Sequence, residues 1–191
     1  MVSTQAPFSR TKTLHFIRHG EADYNLLDRV NAHPHVQNNL TQTGREQAAC
    51  CSQTLAQARI EIIYSSAFPR AQQTAEIINQ GFGVPIILDA RLNETGAFAF
   101  EGQPTRLWHA ANVPDRLSAI VPGCEPLSEM KQRLATFLEN LLVRPEHDIG
   151  VVSHEEPIQI MLGILSGLAD ELAKQRPISH CLPISVEFGQ R

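Results

Sequence analysis

The sequence predicts an α/β sandwich with a mostly parallel central sheet. Short β-prone segments alternate with longer segments of helical periodicity, an order that is typical of parallel sheets covered by helices. The 191 residues, 42% of them hydrophobic, suffice for one well-buried core, so we expect a single domain over residues 1–191. Residues 1–12 are polar and lack the apolar run of a signal peptide, and we expect a flexible N-terminal segment there.

The first third of the chain predicts a strand, a polar loop and a helix. Residues 13–17 are β-prone and run into an Arg-His-Gly sequence, whose Gly20 permits a tight loop. A polar stretch covers residues 21–39. The helical pattern that follows it has Thr41 or Thr43 as its candidate cap.

The remaining elements continue this alternation. Residues 60–64 form a second predicted strand, and a helix is predicted over Pro69–Asn79, with proline in its first turn and Gly81 just past its end. Residues 93–122 are irregular. The other predicted elements are strands at 84–88, 149–153 and Ile184–Phe188 and helices at Leu127–Leu142 and 157–165.

Composition argues against several classes of partner. The formal net charge is -4 and the lysines and arginines are dispersed, so the chain lacks both the basic face of a nucleic-acid-binding protein and a basic block for a membrane surface. No segment approaches the ~18 apolar residues of a membrane span. The four cysteines lack zinc-like spacing and are expected to be reduced thiols of a cytoplasmic protein. We therefore expect no nucleic-acid and no membrane partner.

Polar residues of one chemical kind follow three of the predicted strands. Arg18 and His19 end the first strand, Arg70 follows the second after two serines, and His154 follows the strand at 149–153. Ligands of open α/β sheets bind beyond the carboxyl ends of the strands. We therefore expect these side chains to meet in one crevice.

Such a set of side chains suits a phosphoryl group. Arginine presents a planar fork of donors that fits phosphate oxygens two at a time, and a neutral imidazole is a nucleophile near pH 7. Two nearby arginines favour the neutral form of the imidazole by like-charge repulsion. The departing oxygen still needs a proton, which calls for a carboxylic acid nearby.

Five blocks of sequence occur in an order that is known from one protein family. They are LHFIRHGE at residues 14–21, LTQTGREQA at 40–48, YSS to TAE at 64–76, LNE at 92–94 with Glu101-Gly102 after it, and VVSH at 151–154. A weaker match is PGCE at 122–125 with Arg133. Together they resemble the histidine phosphatase superfamily, in its phosphoglycerate-mutase-like branch. The resemblance implies a three-layer α/β/α sandwich and a reaction that needs no metal ion or other cofactor.

The resemblance also implies a role for each residue of the site. His19 is the expected phosphoryl acceptor. Glu94 is the expected general acid that later activates water, with Glu101 as a competing carboxylate. The residues expected to hold the phosphoryl oxygens or to line their pocket are Arg18, Arg70, His154 and Asn25, and Asn25 has the alternative of capping a turn.

Two positions depart from the family pattern. Glu155 follows His154 where the family usually has glycine, so its carboxylate is expected to point away from the bound anion or to repel it. Glu156 adds a second charge, although both carboxylates suit a helix N-terminus. Ala22 stands where mutases of the family tend to carry a hydroxyl residue, which argues against mutase-type substrate contacts.

Other histidines and aromatic residues are open to more than one interpretation. His33 and His35 lie in a polar loop without a complete ligand set, so they are predicted to be solvated or to line the substrate mouth, with no metal bound. The aromatic residues of the irregular section contact substrate or cover the core; they are Phe98, Phe100 and Trp108. The histidines predicted to be structural are His15, His147 and His180.

The sequence thus predicts a phosphomonoesterase that acts on a small phosphorylated metabolite. Phosphoglycerate mutase is the first alternative, but mutases of the family carry longer insertions and a C-terminal tail, so the end of this chain at Arg191 favours hydrolysis. A non-catalytic module that binds a phosphorylated ligand is the second alternative, kept open by Glu155. A sugar phosphate, a bisphosphorylated acid, a nucleotide-loop phosphate and a phosphoprotein all stay open as substrates, and a homodimer is one possible assembly.

Overall fold

A five-stranded sheet forms the centre of the protein, seen in a computed structural model that describes residues 12–188. The strands are β1 (Lys12–Arg18), β2 (Ile62–Ser65), β3 (Ile86–Leu88), β4 (Asp148–Ser153) and β5 (Ile184–Phe188). Their order across the sheet is β3-β2-β4-β1-β5. The first four strands of this order are mutually parallel and β5 pairs with β1 in the antiparallel sense. The predicted mostly parallel sheet is confirmed.

Seven helices accompany the sheet within residues 12–188. They are α1 (Asp23–Leu27), α2 (Gln42–Thr54), α3 (Pro69–Asn79), α4 (Thr105–Ala111), α5 (Leu127–Leu142), α6 (Glu155–Ser166) and α7 (Asp170–Ala173). The bounds predicted for α3 and α5 are those observed. Helix α6 begins two residues earlier than predicted, because Pro157 is tolerated in its first turn. Helices α1, α4 and α7 were not predicted, since four to seven residues are too few to show a helical period.

Two buried apolar clusters, one on each face of the sheet, make the protein three layers thick. Leu14 and Phe16 of β1 pack in the cluster that includes the apolar faces of α5 and α6. Ile17 belongs to the other cluster, which includes residues of α2 and α3. Because successive side chains of a strand point to opposite faces, β1 contributes to both layers. The three-layer α/β/α sandwich is therefore confirmed.

The loop after β1 packs tightly against the start of α2. A side chain at Gly20 would overlap the carbonyl oxygen of Gly44, and one at Gly44 would overlap the carbonyl oxygen of Glu21. Gly20 is thus needed for space rather than for a left-handed backbone. Thr41 is the cap of α2, because its Oγ1 accepts from the Gly44 N–H at 3.0 Å.

The predicted flexible segment lies almost entirely outside the described residues. Residue Lys12, which was assigned to that segment, is instead the first residue of β1 and is buried. Its Nζ donates to the carbonyl oxygen of Glu146 at 2.6 Å. Within residues 12–188, no helix has the length and hydropathy needed to cross a membrane. A single domain over residues 1–191 stays a prediction.

Candidate active site

The carboxyl ends of three parallel strands meet at one edge of the sheet. In the register of the sheet, Arg18 of β1 lies opposite Ser153 of β4, and Ser65 of β2 lies opposite Val152. A cavity of about 530 Å³ opens beyond these ends. Five of the six predicted site residues line it, namely Arg18, His19, Asn25, Arg70 and Glu94.

His154, the sixth predicted residue, lies behind this wall. Its side chain is fully buried, and its Nδ1 is 3.0 Å from Nη2 of Arg70. The rings of His154 and His19 are 5.1 Å apart between centroids. His154 therefore contacts the wall through Arg70. Its expected contact with the phosphoryl oxygens stays a prediction.

The hydrogen bonds of His19 place the lone pair of its imidazole on Nε2, the nitrogen that would act as the nucleophile. Its Nδ1 lies 2.7 Å from the Gly20 carbonyl oxygen, which can only accept, so Nδ1 carries the hydrogen. The lone pair is then on Nε2, which accepts from Nε of Arg70 at 3.0 Å. Burial and the charge of Arg70 hold the pKa of His19 well below its ordinary value of 6.5. His19 is therefore neutral near pH 7.

His180 is hydrogen-bonded to the backbone of His19. Its Nδ1 donates to the His19 backbone carbonyl at 2.6 Å, and the two rings are 5.3 Å apart. This side chain was predicted to be structural, and its contacts agree, since it orients the loop that carries the nucleophile.

Arg70 joins the two histidines from the first turn of α3. Besides its bonds to His19 and His154, its Nη1 donates to Oδ1 of Asn31, and the guanidinium stacks 4.5 Å from the ring centre of Phe68. The side chain is buried, which lowers the pKa of Arg70 to about 10. Arg70 therefore stays cationic at pH 7, in a fixed orientation.

A chain of hydrogen bonds sets the tautomer of His154. Oδ1 of Asn93 accepts from the Ser66 hydroxyl at 3.0 Å, so Ser66 Oγ is left to accept from Nε2–H of His154 at 2.9 Å. Nδ1 then carries the lone pair that accepts from Arg70. Burial, followed by the charge of Arg70, holds the pKa of His154 well below its ordinary value. The strand-end serine thus supports a histidine and does not face the cavity.

Of the two candidate acids, Glu94 lines the cavity and Glu101 does not. Its Oε1 accepts from the Thr95 N–H at 3.0 Å, its Oε2 lies 3.7 Å from Nδ1 of His154, and its side chain is 26% exposed. Burial raises the pKa of Glu94 above its ordinary value of 4.5, against the opposing charge of Arg70. Glu101 instead binds the backbone N–H groups of Ala32 and His33. The position of Glu94 therefore suits a general acid.

Glu155 occupies the cavity wall in contact with Arg18. Nη1 of Arg18 lies 2.8 Å from Oε2 of Glu155 and also donates to the Ile178 carbonyl at 2.7 Å. The sequence led us to expect this carboxylate to point away from a bound anion or to repel it. The structure shows an ion pair, in which the carboxylate of Glu155 offsets the charge of Arg18, a residue predicted to bind the phosphoryl group.

Asn25 both caps a turn and lines the cavity, the two alternatives that the sequence left open. Its Oδ1 accepts from the Ala22 N–H at 2.9 Å and so caps the start of α1. The same residue lines the cavity. The amide nitrogen of Asn25 is the group left for a ligand.

Several contacts of the site could not be predicted from the sequence. Asn31 accepts from Arg70, and Glu156 pairs with Arg116 and Lys174. Each of these contacts joins residues from distant parts of the chain, so no local spacing could have indicated them. Trp108 lines the cavity, as one of its two interpretations predicts.

His33 and His35 lie outside the cavity wall, with ring centroids 5.0 Å apart. Over residues 12–188, no cluster of three histidine, cysteine, aspartate or glutamate side chains could hold a metal ion. The suggestion that this pair lines the substrate mouth is therefore not supported by its position.

The chain is similar to known proteins in sequence and in fold. Residues 14–191 match the histidine phosphatase superfamily (branch 1). The chain is 31% identical over 184 residues to fructose-2,6-bisphosphatase TIGAR B of Danio rerio. That alignment covers 92% of this chain and 70% of TIGAR B. It is 30% identical over 175 residues to the uncharacterized phosphatase PhoE of Bacillus subtilis (strain 168). That alignment covers 91% of this chain and 87% of PhoE. The α-ribazole phosphatase of Shigella flexneri has the same fold, with a TM-score of 0.81 at 23% identity over 93% of this chain and 94% of its own. The chain therefore belongs to the histidine phosphatase superfamily, branch 1.

Proposed function

We propose that this protein hydrolyses phosphate monoesters of small metabolites through a phosphohistidine intermediate on His19. One observation carries the proposal: the guanidinium of Arg70 contacts Nε2 of His19 and Nδ1 of His154, each at 3.0 Å. A cation is thus held beside a neutral imidazole, where it can bind phosphoryl oxygens once the substrate displaces Nε–H of Arg70 from the lone pair of His19. The names of TIGAR B and PhoE, both phosphatases, support the same reaction class.

In the proposed first step, Nε2 of His19 attacks phosphorus in line with the ester oxygen. The P–O bond breaks, and Glu94 donates its proton to the departing alcohol. Arg18 and Arg70 stabilise the charge that spreads over the equatorial oxygens. The raised pKa of Glu94 favours this step, because it keeps the acid protonated at a higher pH.

In the proposed second step, water attacks the phosphohistidine. Glu94, now a carboxylate, takes a proton from this water, the P–N bond breaks, and inorganic phosphate leaves. His19 returns to its neutral form. The residues proposed to bind the phosphoryl group and its surroundings are Arg18, Arg70, Asn25 and, through Arg70, His154.

The test is a comparison of His19→Ala with His147→Ala. His147 precedes β4, at the opposite end of the sheet from the cavity, so its substitution should leave turnover unchanged. We expect His19→Ala to lose ~10³-fold or more in the hydrolysis of p-nitrophenyl phosphate. Rapid quench should trap an acid-labile phosphoenzyme in the wild type and in His147→Ala, and none in His19→Ala. Activity that survived in His19→Ala would overturn the proposal.

The mutase alternative makes a different product from the same intermediate. With 3-phosphoglycerate and its bisphosphorylated cofactor, we expect no efficient isomerisation, and efficient isomerisation with little phosphate release would contradict us. A cytoplasmic location, inferred from four free cysteines, and a homodimeric assembly both stay predictions.

A further inference from the structure

Acidic side chains of the protein pair with most of the positive charges in the cavity wall. Arg18 is paired with Glu155 at 2.8 Å. On the far side of the wall, Glu156 pairs with Arg116 at 3.3 Å and with Lys174. Three of the five cations that line the cavity are therefore already held by carboxylates.

The two remaining cations have different surroundings. Arg70 is buried beside His19, where the phosphoryl group is proposed to bind. Arg29 is exposed at the rim, where water and salt screen its charge, and it donates to the Gly102 carbonyl. Beyond the phosphoryl position, the wall thus offers no buried cation that lacks a carboxylate.

The total charge of the wall is small. Five cationic side chains and three carboxyl groups line the cavity, a formal excess of two positive charges when Glu94 is ionised and of three when Glu94 carries the proton that the proposed first step uses. A phosphate monoester dianion accounts for most or all of this excess.

We propose that the site selects phosphate monoesters whose alcohol part carries no negative charge, such as sugar, polyol or nucleoside monophosphates, and that Glu155 determines this selectivity. The inference rests on the proposed function, because it takes the cavity beside His19 as the substrate site. It separates this protein from enzymes of bisphosphorylated or carboxylated substrates. Glu155 acts by repulsion. Its effect on Arg18 weakens the binding of the phosphoryl group of every ligand alike, whereas its direct repulsion of a second anion affects only ligands that carry one.

The experiment compares two ligands of nearly equal shape. Glycerol 3-phosphate carries a hydroxymethyl group where 3-phosphoglycerate carries a carboxylate. Their dissociation constants are measured by calorimetry in a His19→Ala background, which binds without turnover, and again in His19→Gln in case the first variant folds poorly. The same measurements are made after adding Glu155→Gln, which keeps the shape and removes the charge. Glu129→Gln, on the exposed side of α5, controls for the change in net charge.

We expect the Glu155-containing protein to bind glycerol 3-phosphate at least about tenfold more tightly than 3-phosphoglycerate. Glu155→Gln should reduce this ratio by about tenfold, mainly through tighter binding of 3-phosphoglycerate, and Glu129→Gln should leave it unchanged. An equal or reversed preference, a ratio that Glu155→Gln does not change, or failure of both backgrounds to bind either ligand would overturn the inference. Selective binding without hydrolysis by the wild type would contradict the proposed function but support the charge selectivity.

Discussion

Replacement of Ser66 by alanine tests whether the tautomer of His154 matters for catalysis. Ser66 is fully buried, and its hydroxyl links Oδ1 of Asn93 to Nε2 of His154 at 3.0 and 2.9 Å. Without that hydroxyl, the Nε2–H of His154 has no acceptor. If the proton moves to Nδ1 instead, the lone pair that accepts from Arg70 is lost. Either way, one buried polar group of His154 is left unpaired, and so is the Phe68 N–H, which donates to the same hydroxyl at 3.3 Å.

The size of the effect follows from this count. Each unsatisfied buried donor costs about 1–3 kcal/mol, so the two together lower the unfolding free energy by about 2–6 kcal/mol. If the loss at His154 alone is felt in the transition state through a displaced Arg70, kcat falls by about tenfold to a hundredfold. KM should change less than kcat, because Arg18 and Asn25 still line the cavity.

Ser65→Ala is the matched control, since it makes the same substitution in the adjacent, equally buried residue. The hydroxyl of Ser65 donates to the Ser66 carbonyl oxygen at 3.0 Å and has no bond to a histidine. We expect it to lower the unfolding free energy by about 1 kcal/mol and to change kcat by less than about threefold. Urea denaturation and steady-state hydrolysis of p-nitrophenyl phosphate measure both quantities. Equal losses of kcat in the two variants would refute the tautomer argument.

Three further predictions concern the acid, the pH profile of activity and the pH dependence of stability. Glu94→Gln should lower kcat by about 10²–10⁴-fold with an alkyl phosphate, whose alcohol needs a proton, and much less with p-nitrophenyl phosphate; an equal loss with both substrates would exclude Glu94 as the acid. In the pH profile of kcat/KM, the midpoint of the acid limb should lie below pH 6.5, because the pKa of His19 is lowered from its ordinary value. The midpoint of the alkaline limb should lie above pH 4.5, because the pKa of Glu94 is raised. Unfolding free energy should also decline as the pH falls below about 6.5, because the unfolded chain then binds protons that buried His19 and His154 do not; a flat stability profile from pH 7 to 5 would contradict both histidine assignments.

The sequence alone was sufficient for the order of the main elements and for the edge of the sheet where polar residues gather. Strand and helix periods are local properties, so residues within α3 and α5 carried the information for their own bounds. The placement of Arg18 and His19 at a strand end is likewise a local fact. Very short helices such as α4 were missed because their stability comes from contacts with the rest of the protein.

Only the tertiary structure decided what each of these side chains touches. The register of β1, β2 and β4 places Arg70 between two histidines that are 135 residues apart in the chain, with His154 behind the wall and not on it. The same packing pairs Glu155 with Arg18, and the proposed selectivity against a second anion rests on this pair. Hydrogen-bond and ion pairs between distant segments depend on how the strands align, and no spacing along the chain encodes that alignment.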